Sequence, residues 1–213
     1  VALLDNDDEF SEHALYHMAV EIAAHPGADL FYSDEDKLDA DGIRYHPYFK
    51  PAWNPDLMLS QNTVGHLAVY RRSAMLTVGG FRVGFEGAQD HDLALRVSER
   101  AGPDGIRHVP YILYHWRSIE GSTARAGSEK SYAWVAGKKA VEEALARRAI
   151  PATVGDAAGG IFYRVHHALP NTPPRVSLLI PTRDRVHLLR NCVRTILERT
   201  DYPNIEIVII DND

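Results

Sequence analysis

The chain has a single cysteine, Cys192, among 213 residues, so no disulfide can close within it. A lone thiol suits a reducing compartment. Cys192 falls on the apolar face of a helix that the pattern predicts, which makes it a buried structural thiol rather than a nucleophile. Long apolar runs are missing as well. None reaches the ~18 residues a membrane span needs, and the first residues carry no signal-peptide pattern. Basic excess is also absent. A formal net charge of -6 excludes a general nucleic-acid binder, which needs a basic face. The remainder, 45% hydrophobic and 24% charged, is that of a globular protein long enough to bury a core.

The acid behind that charge is unevenly placed. Asp5, Asp7, Asp8 and Glu9 form one cluster, and Asp34, Glu35 and Asp36 form another. Grouped carboxylates repel one another unless a cation or a basic partner sits among them.

Periodicity gives an order of elements. Val1 to Leu4 reads as the end of a buried strand, cut at its start, that runs into Asp5. Ser11 is placed to cap a helix carrying Leu15, Met18, Ala19, Ile22 and Ala23 and stopped by Pro26-Gly27. Leu30 to Tyr32 is a short strand. From Lys37 to Pro55, aromatics and prolines predict an ordered loop. A short helix over Ser73 to Val78 ends at Gly79-Gly80, and another starts at Gln89 or Asp90 and stops at Gly102. Val109 to Trp116 is strand-like, with Pro110 at an edge. Residues 118–128 read as a mobile loop. Ser131 to Arg148 is a helix with Trp134, Val141 and Leu145 inside and Lys138-Glu142 paired outside.

After a linker over Pro151 to Gly160 and a strand over Ile161 to His166, Pro173-Pro174 marks a change. Val176 to Ile180 and Ile205 to Ile210 are continuous apolar strands around a helix striped by Leu188, Leu189, Cys192, Val193, Ile196 and Leu197. Such runs belong to a parallel sheet covered on both faces. They predict the opening β-α-β of a doubly wound domain.

Three segments carry chemistry. Asp5 and Asp7 flank one residue at the C-terminal end of a strand, where open α/β sheets bind ligands and where two carboxylates can face one hard divalent cation. A bare pair of this kind is more often a solvated turn that caps the next helix. Asp90 opens a helix after the glycine-rich Gly79-Gly80-Phe81-Arg82 and Glu86-Gly87-Ala88-Gln89, where an open carboxylate can act as general base. Plain helix capping is the alternative. Tyr114-His115-Trp116-Arg117 sets an imidazole suited to a metal beside a guanidinium suited to phosphate. His115 alone would more often be an ordinary surface or core histidine.

Taken in order, Asp5-Asn6-Asp7-Asp8, Tyr32-Ser33-Asp34-Glu35-Asp36-Lys37, Phe49-Lys50-Pro51, Gly79-Gly80-Phe81, Gln89-Asp90-His91-Asp92 and His115-Trp116-Arg117 resemble family-2 glycosyltransferases, especially bacterial enzymes that build surface polysaccharides. The resemblance implies an α/β fold of GT-A type with a Rossmann-like mixed sheet. It implies Mg²⁺ or Mn²⁺ held by Asp5, Asp7 and His115 on the diphosphate of a nucleotide sugar. Asp90 would deprotonate a saccharide or lipid-linked saccharide acceptor, with inversion at the sugar carbon. Asp34, Gly80, Phe81, Gln89, Trp116 and Arg117 would line the substrate and acceptor site. The family often has Glu-Asp where Gln89-Asp90 stands, so Gln89 is not carried over as an acid.

The tail, Val176-Ser177-Leu178-Leu179-Ile180-Pro181-Thr182-Arg183-Asp184, resembles the start of the same fold again. Thr182, Asp184 and Asp211 are thereby nucleotide-pocket candidates, against helix capping for Asp184 and a strand-end turn for Asp211. The resemblance divides the chain into 1–150, the metal and acceptor half of one transferase domain; 151–173, a linker with a short strand; and 174–213, the nucleotide-binding start of a second. Val176 to Ile180 is expected to pair with Val1 to Leu4 in a partial, permuted sheet, and such a piece is expected to have little transfer activity. The implied setting is the cytoplasm, at the inner face of the plasma membrane, with peripheral membrane association of the parent protein and no nucleic-acid partner. Two rival readings are a metal-dependent phosphohydrolase and an inactive carbohydrate-binding scaffold of the same fold.

Overall fold

A computed structural model describes residues 1–102, 104–118, 131–157 and 159–212, with Ser131 described for its backbone only. The elements in chain order are β1 (Glu9–Phe10), α1 (Ala14–Ala24), β2 (Leu30–Leu38), β3 (Arg44–Tyr48), α2 (Pro55–Ser60), β4 (Ala68–Tyr70), α3 (Arg72–Thr77), α4 (Gln89–Ser98) and β5 (Ile106–Arg117). They continue with α5 (Ser131–Arg147), β6 (Ala152–Asp156), β7 (Tyr163–His167), β8 (Val176–Thr182), α6 (Val186–Arg199) and β9 (Ile205–Asp211). The chain divides into two compact units, Val1–His167 and Ala168–Asp213. No helix among the described residues is long and apolar enough to cross a membrane.

The larger unit is built on a mixed sheet of order β1-β5-β2-β3, with β4 also paired to β2. Only β2 and β5 run parallel in it; the other pairs are antiparallel. This is a partial Rossmann-like α/β arrangement. Alternation along β2 decides the layers. Leu30 and Tyr32 join a core with α2, α4, α5 and the β6–β7 hairpin, while Phe31 joins a second core with Ala14 and Met18 of α1. The register of β2 on β5 slips between Ser33↔Val109 and Asp34↔Ile112, which leaves Pro110 and Tyr111 out of the ladder. A bulge is where a residue without an N–H is tolerated inside a sheet.

Several expectations need correction. The strand expected at Leu30 to Tyr32 extends through Asp34-Glu35-Asp36 to Leu38, because β5 supplies a parallel partner along its whole length. The loop expected over Lys37 to Pro55 contains β3, and the linker expected over Pro151 to Gly160 contains β6, each recruited by a neighbouring strand. Val1 to Leu4 is not a buried strand: Ala2 makes one isolated bridge to Val69, and Val1 and Leu4 are exposed. α1 begins at Ala14 rather than at a Ser11 cap, and its N-cap position makes no side-chain bond. On α5 the outer pair is Lys139 with Glu143, one residue beyond the expected one. The loop expected over 118–128 lies outside the described residues from position 119 on.

The smaller unit is β8-α6-β9, with β8 and β9 parallel and in register from Val176↔Ile205 to Thr182↔Asp211. Within the unit the ladder partner of β8 is β9. Cys192 is exposed, contrary to the expectation of a buried thiol.

Candidate functional site

α4 determines where Asp90 stands. The seven residues from His91 to Val97 are all buried, so the helix is enclosed on every side and its polar members need partners. His91 Nε2 lies 2.8 Å from the Met58 carbonyl, and burial holds its imidazole below its usual pKa. Asp92, 0% exposed, accepts from Arg96 Nε at 2.9 Å and Nη2 at 2.6 Å, and from Arg82 Nε at 3.1 Å. Burial pushes the Asp92 carboxyl up, but the two guanidiniums outweigh it and hold it below the usual range. Arg96 also donates to the carbonyls of Val78 at 2.5 Å and Gly80 at 2.6 Å. The Gly79-Gly80 turn is thus tied to α4, with Phe81 exposed beyond it. Gly87 has φ +81°, and a Cβ there would lie 2.7 Å from Ala133 Cβ, so both the backbone and the approach of α5 require glycine.

Asp90 does not cap its helix: α4 starts at Gln89, and its N-cap position makes no side-chain bond. The carboxylate instead accepts from Asn62 Nδ2 at 2.7 Å. Asn62 Oδ1 in turn accepts from Gly65 N–H at 3.2 Å, closing the loop between α2 and β4. Lys50, buried, fastens that loop from the other side. Its Nζ donates to the carbonyls of Val64, at 2.8 Å, and His66, and pairs with Glu35 Oε2 at 2.9 Å. Burial pulls the ammonium's pKa down despite Glu35, Asp34 and Asp90. Asp90 itself is half-buried and Gln89 is exposed, so both are within reach of a ligand.

The acidic turn is held by the end of β5. Tyr114 Oη donates to Asp8 Oδ2 at 2.6 Å and accepts from the Asp5 N–H at 3.3 Å. Arg117 N–H donates to Asp8 Oδ1 at 2.8 Å, and its Nε donates to the Asp7 carbonyl at 2.9 Å. Arg117 also pairs with Glu9. Asp8 is buried, and that burial raises its pKa. The side chains of Asp5 and Asp7 accept no hydrogen bond and pair with no cation among the described residues, Asp5 being exposed and Asp7 half-buried.

The second acidic cluster is structural in its contacts. Asp34 Oδ1 accepts from the Lys50 N–H at 2.8 Å and from His108 Nε2 at 2.7 Å, so this expected substrate residue is buried and already bonded. Asp36 Oδ1 accepts from His115 Nδ1 at 2.6 Å, and its Oδ2 from Arg44 Nε at 2.6 Å. His115 is 7% exposed and keeps only Nε2 for anything else. Trp116 is half-buried, with Lys37 Nζ 5.3 Å from its ring centroid.

Of the expected ligands, Asp5 and Asp7 share one turn. Among the described residues, however, no three His, Cys, Asp or Glu side chains converge to hold a metal ion. The donor chemistry still suits a hard divalent cation, because Mg²⁺ commonly takes one or two carboxylates and completes its shell with substrate phosphates. Thr182 and Asp211 meet as ladder partners at the C-terminal ends of β8 and β9, and the Asn212 N–H donates to the Thr182 carbonyl at 2.9 Å. Asp184 follows at φ +48° and does not cap α6. Periodicity and motif reading missed Asn62, Lys50, Glu35 and Tyr114 as the residues that hold Asp90 and the acidic turn. Only a lysine between Phe49 and Pro51 and a tyrosine before His115 hinted at them.

No protein-family model matches the chain. It is 43% identical over 215 residues to a protein of Sinorhizobium fredii (strain NBRC 101917 / NGR234) described as uncharacterized protein y4gI, covering 100% of this chain and 23% of that protein. It is 42% identical over 213 residues to the O-antigen biosynthesis protein RfbC of Myxococcus xanthus, covering 100% of this chain and 16% of that protein. The chain therefore spans between 16% and 23% of the length of these curated relatives.

Proposed function

We propose that the chain carries the acceptor and cation half of an inverting, family-2-type glycosyltransferase of GT-A fold, working in the assembly of a surface polysaccharide. The single observation that carries this reading is the loop between α2 and β4. At one end Asn62 fixes Asp90, and at the other His66 packs on Tyr114, which holds the acidic turn. A base and a cation-binding turn are thereby tied to one rigid segment. The name of the Myxococcus xanthus relative supports the polysaccharide setting.

The Asp90 carboxylate takes the proton of an acceptor hydroxyl, and the oxygen attacks the anomeric carbon from the face opposite the diphosphate. The carbon–oxygen bond to the diphosphate breaks, and the nucleoside diphosphate leaves with the bonding pair. A divalent cation at Asp5 and Asp7 would offset charge on the leaving diphosphate. Asn62 keeps Asp90 aimed without blocking its second oxygen, and Trp116 with Lys37 offers a face for a sugar ring. Thr182, Asp184 and Asp211 are proposed as nucleotide contacts of a second domain of the same type.

Calorimetric titration of UDP with Mn²⁺ into the chain tests the reading, with Asp7→Ala as control. The expected result is heat of binding that needs Mn²⁺ and disappears in the variant. Equal binding by Asp7→Ala would remove the acidic turn from the site and the transferase reading with it.

A further inference from the structure

His66 makes every one of its hydrogen bonds among the described residues through its backbone. Its N–H donates to Glu35 Oε2 at 3.1 Å, and its carbonyl accepts from Lys50 Nζ. The imidazole is held by its faces instead. It stacks on Tyr114 with centroids 4.6 Å apart and planes 16° from parallel, and it meets Trp116 edge-on at 5.7 Å. The residue is half-buried, so the ring is oriented yet reachable, and both of its nitrogens are free of described partners. The Tyr114 hydroxyl bonds both Asp8 and Asp5, so the His66 ring lies over the residue that organises the acidic turn.

His115 has the opposite situation. It alternates with Tyr114 and Trp116 along β5, which turns its side chain to the other side of the strand from the two rings that His66 touches. Its ladder partners there are Glu9 and Asp36, its Nδ1 is given to Asp36, and Arg44 closes the set. A buried ring committed to a carboxylate and a guanidinium stiffens the sheet. An accessible ring with uncommitted nitrogens, stacked on the tyrosine that holds the acidic turn, is free to meet a ligand.

We propose that His66, and not His115, is the histidine that contacts the ligand held at the acidic turn, its ring N–H donating to a diphosphate oxygen of a nucleoside diphosphate. This rests on the reading of Asp5 and Asp7 as the cation's carboxylates. The contact leaves Asp36–His115 as a positioning pair that keeps the end of β5 straight beneath the turn.

Acylation of the histidines by diethyl pyrocarbonate, mapped by peptide mass spectrometry, tests the proposal on the unmodified chain with UDP and Mn²⁺ as the probe. His66 should react in the free chain and His115 slowly in either state. With the probe at ~10 times its calorimetric Kd, His66 should be protected about tenfold while His13, His25 and His187 keep their rates. His66→Asn should bind UDP about tenfold more weakly, with tryptophan fluorescence showing the fold retained. If binding depends on Asp7 but the His66 rate is unmoved, or if His115 is protected in its place, the inference is wrong and the transferase reading survives. If there is neither Asp7-dependent binding nor protection, the reading itself fails and takes the inference with it.

Discussion

Among the described residues there are two parallel strand pairs, β2 with β5 and β8 with β9, written in similar residues with different outcomes. In the first pair, Leu30, Phe31 and Tyr32 are buried on alternating faces, and Asp34 and Asp36 at the far end are bonded to histidine, arginine and backbone N–H groups. In the second, Leu179 is 63% exposed, Ile209 and Ile210 are exposed, and Asp211 has no side-chain partner among the described residues. An apolar run is enough to make a strand. It buries only if other segments supply layers for both faces, and a strand-end carboxylate is spent on structure only where neighbouring strands bring cations to it.

The largest test of that contrast is Asp92→Asn. Its removal leaves Arg82 and Arg96 facing a neutral amide at a fully buried position, for a loss of about 3–5 kcal/mol. Trp53, Trp116 and Trp134 all lie in the larger unit, so urea unfolding followed by tryptophan fluorescence reads that unit directly. A loss under about 1 kcal/mol would show that the network does not clamp α4.

Leu93→Ala, at 0% exposure in the shared core, should cost about 2–5 kcal/mol by the same measurement. A smaller effect follows pH. His91 is held below its ordinary pKa by burial, so its contribution is fully present above the unfolded value of about 6.5 and is lost as pH falls towards the folded value. Stability should therefore decline by up to about 1.4 kcal/mol per pH unit below that point, and His91→Gln should flatten the decline. Asp92, also depressed, acts in a separate window below about pH 4. Least of all, Leu179→Ala in β8 should change stability, read by circular dichroism, by no more than about 0.5 kcal/mol. A core-sized loss there would mean that the exposed face of β8 is covered in solution.

Much of the element order was legible from periodicity. The helices at Gln89 and Ser131 and the β8-α6-β9 unit fall where the apolar spacing predicts them. The second acidic cluster was harder, because Asp34-Glu35-Asp36 looks like a loop until β5 arrives as its partner. Asp90 was readable as a carboxylate at a helix start, but not its hold on Asn62, which lies 28 residues away in sequence. His115 was readable as part of the His-Trp-Arg run, but not its bond to Asp36, which lies 79 residues away in sequence.

By itself the sequence determined which segments become strands and helices, where glycine is needed, and which side chains have the chemistry to bind a cation or accept a proton. Those properties are local, set by side-chain size, periodicity and charge within a few residues. Only the tertiary structure decided which carboxylates are free and which are consumed. That depends on partners brought from far along the chain, where a buried charge must be matched by a donor or not be charged at all. Asp5 and Asp7 stayed open because nothing described reaches them, and Asp34, Asp36 and Asp92 were closed by His108, His115 and two arginines.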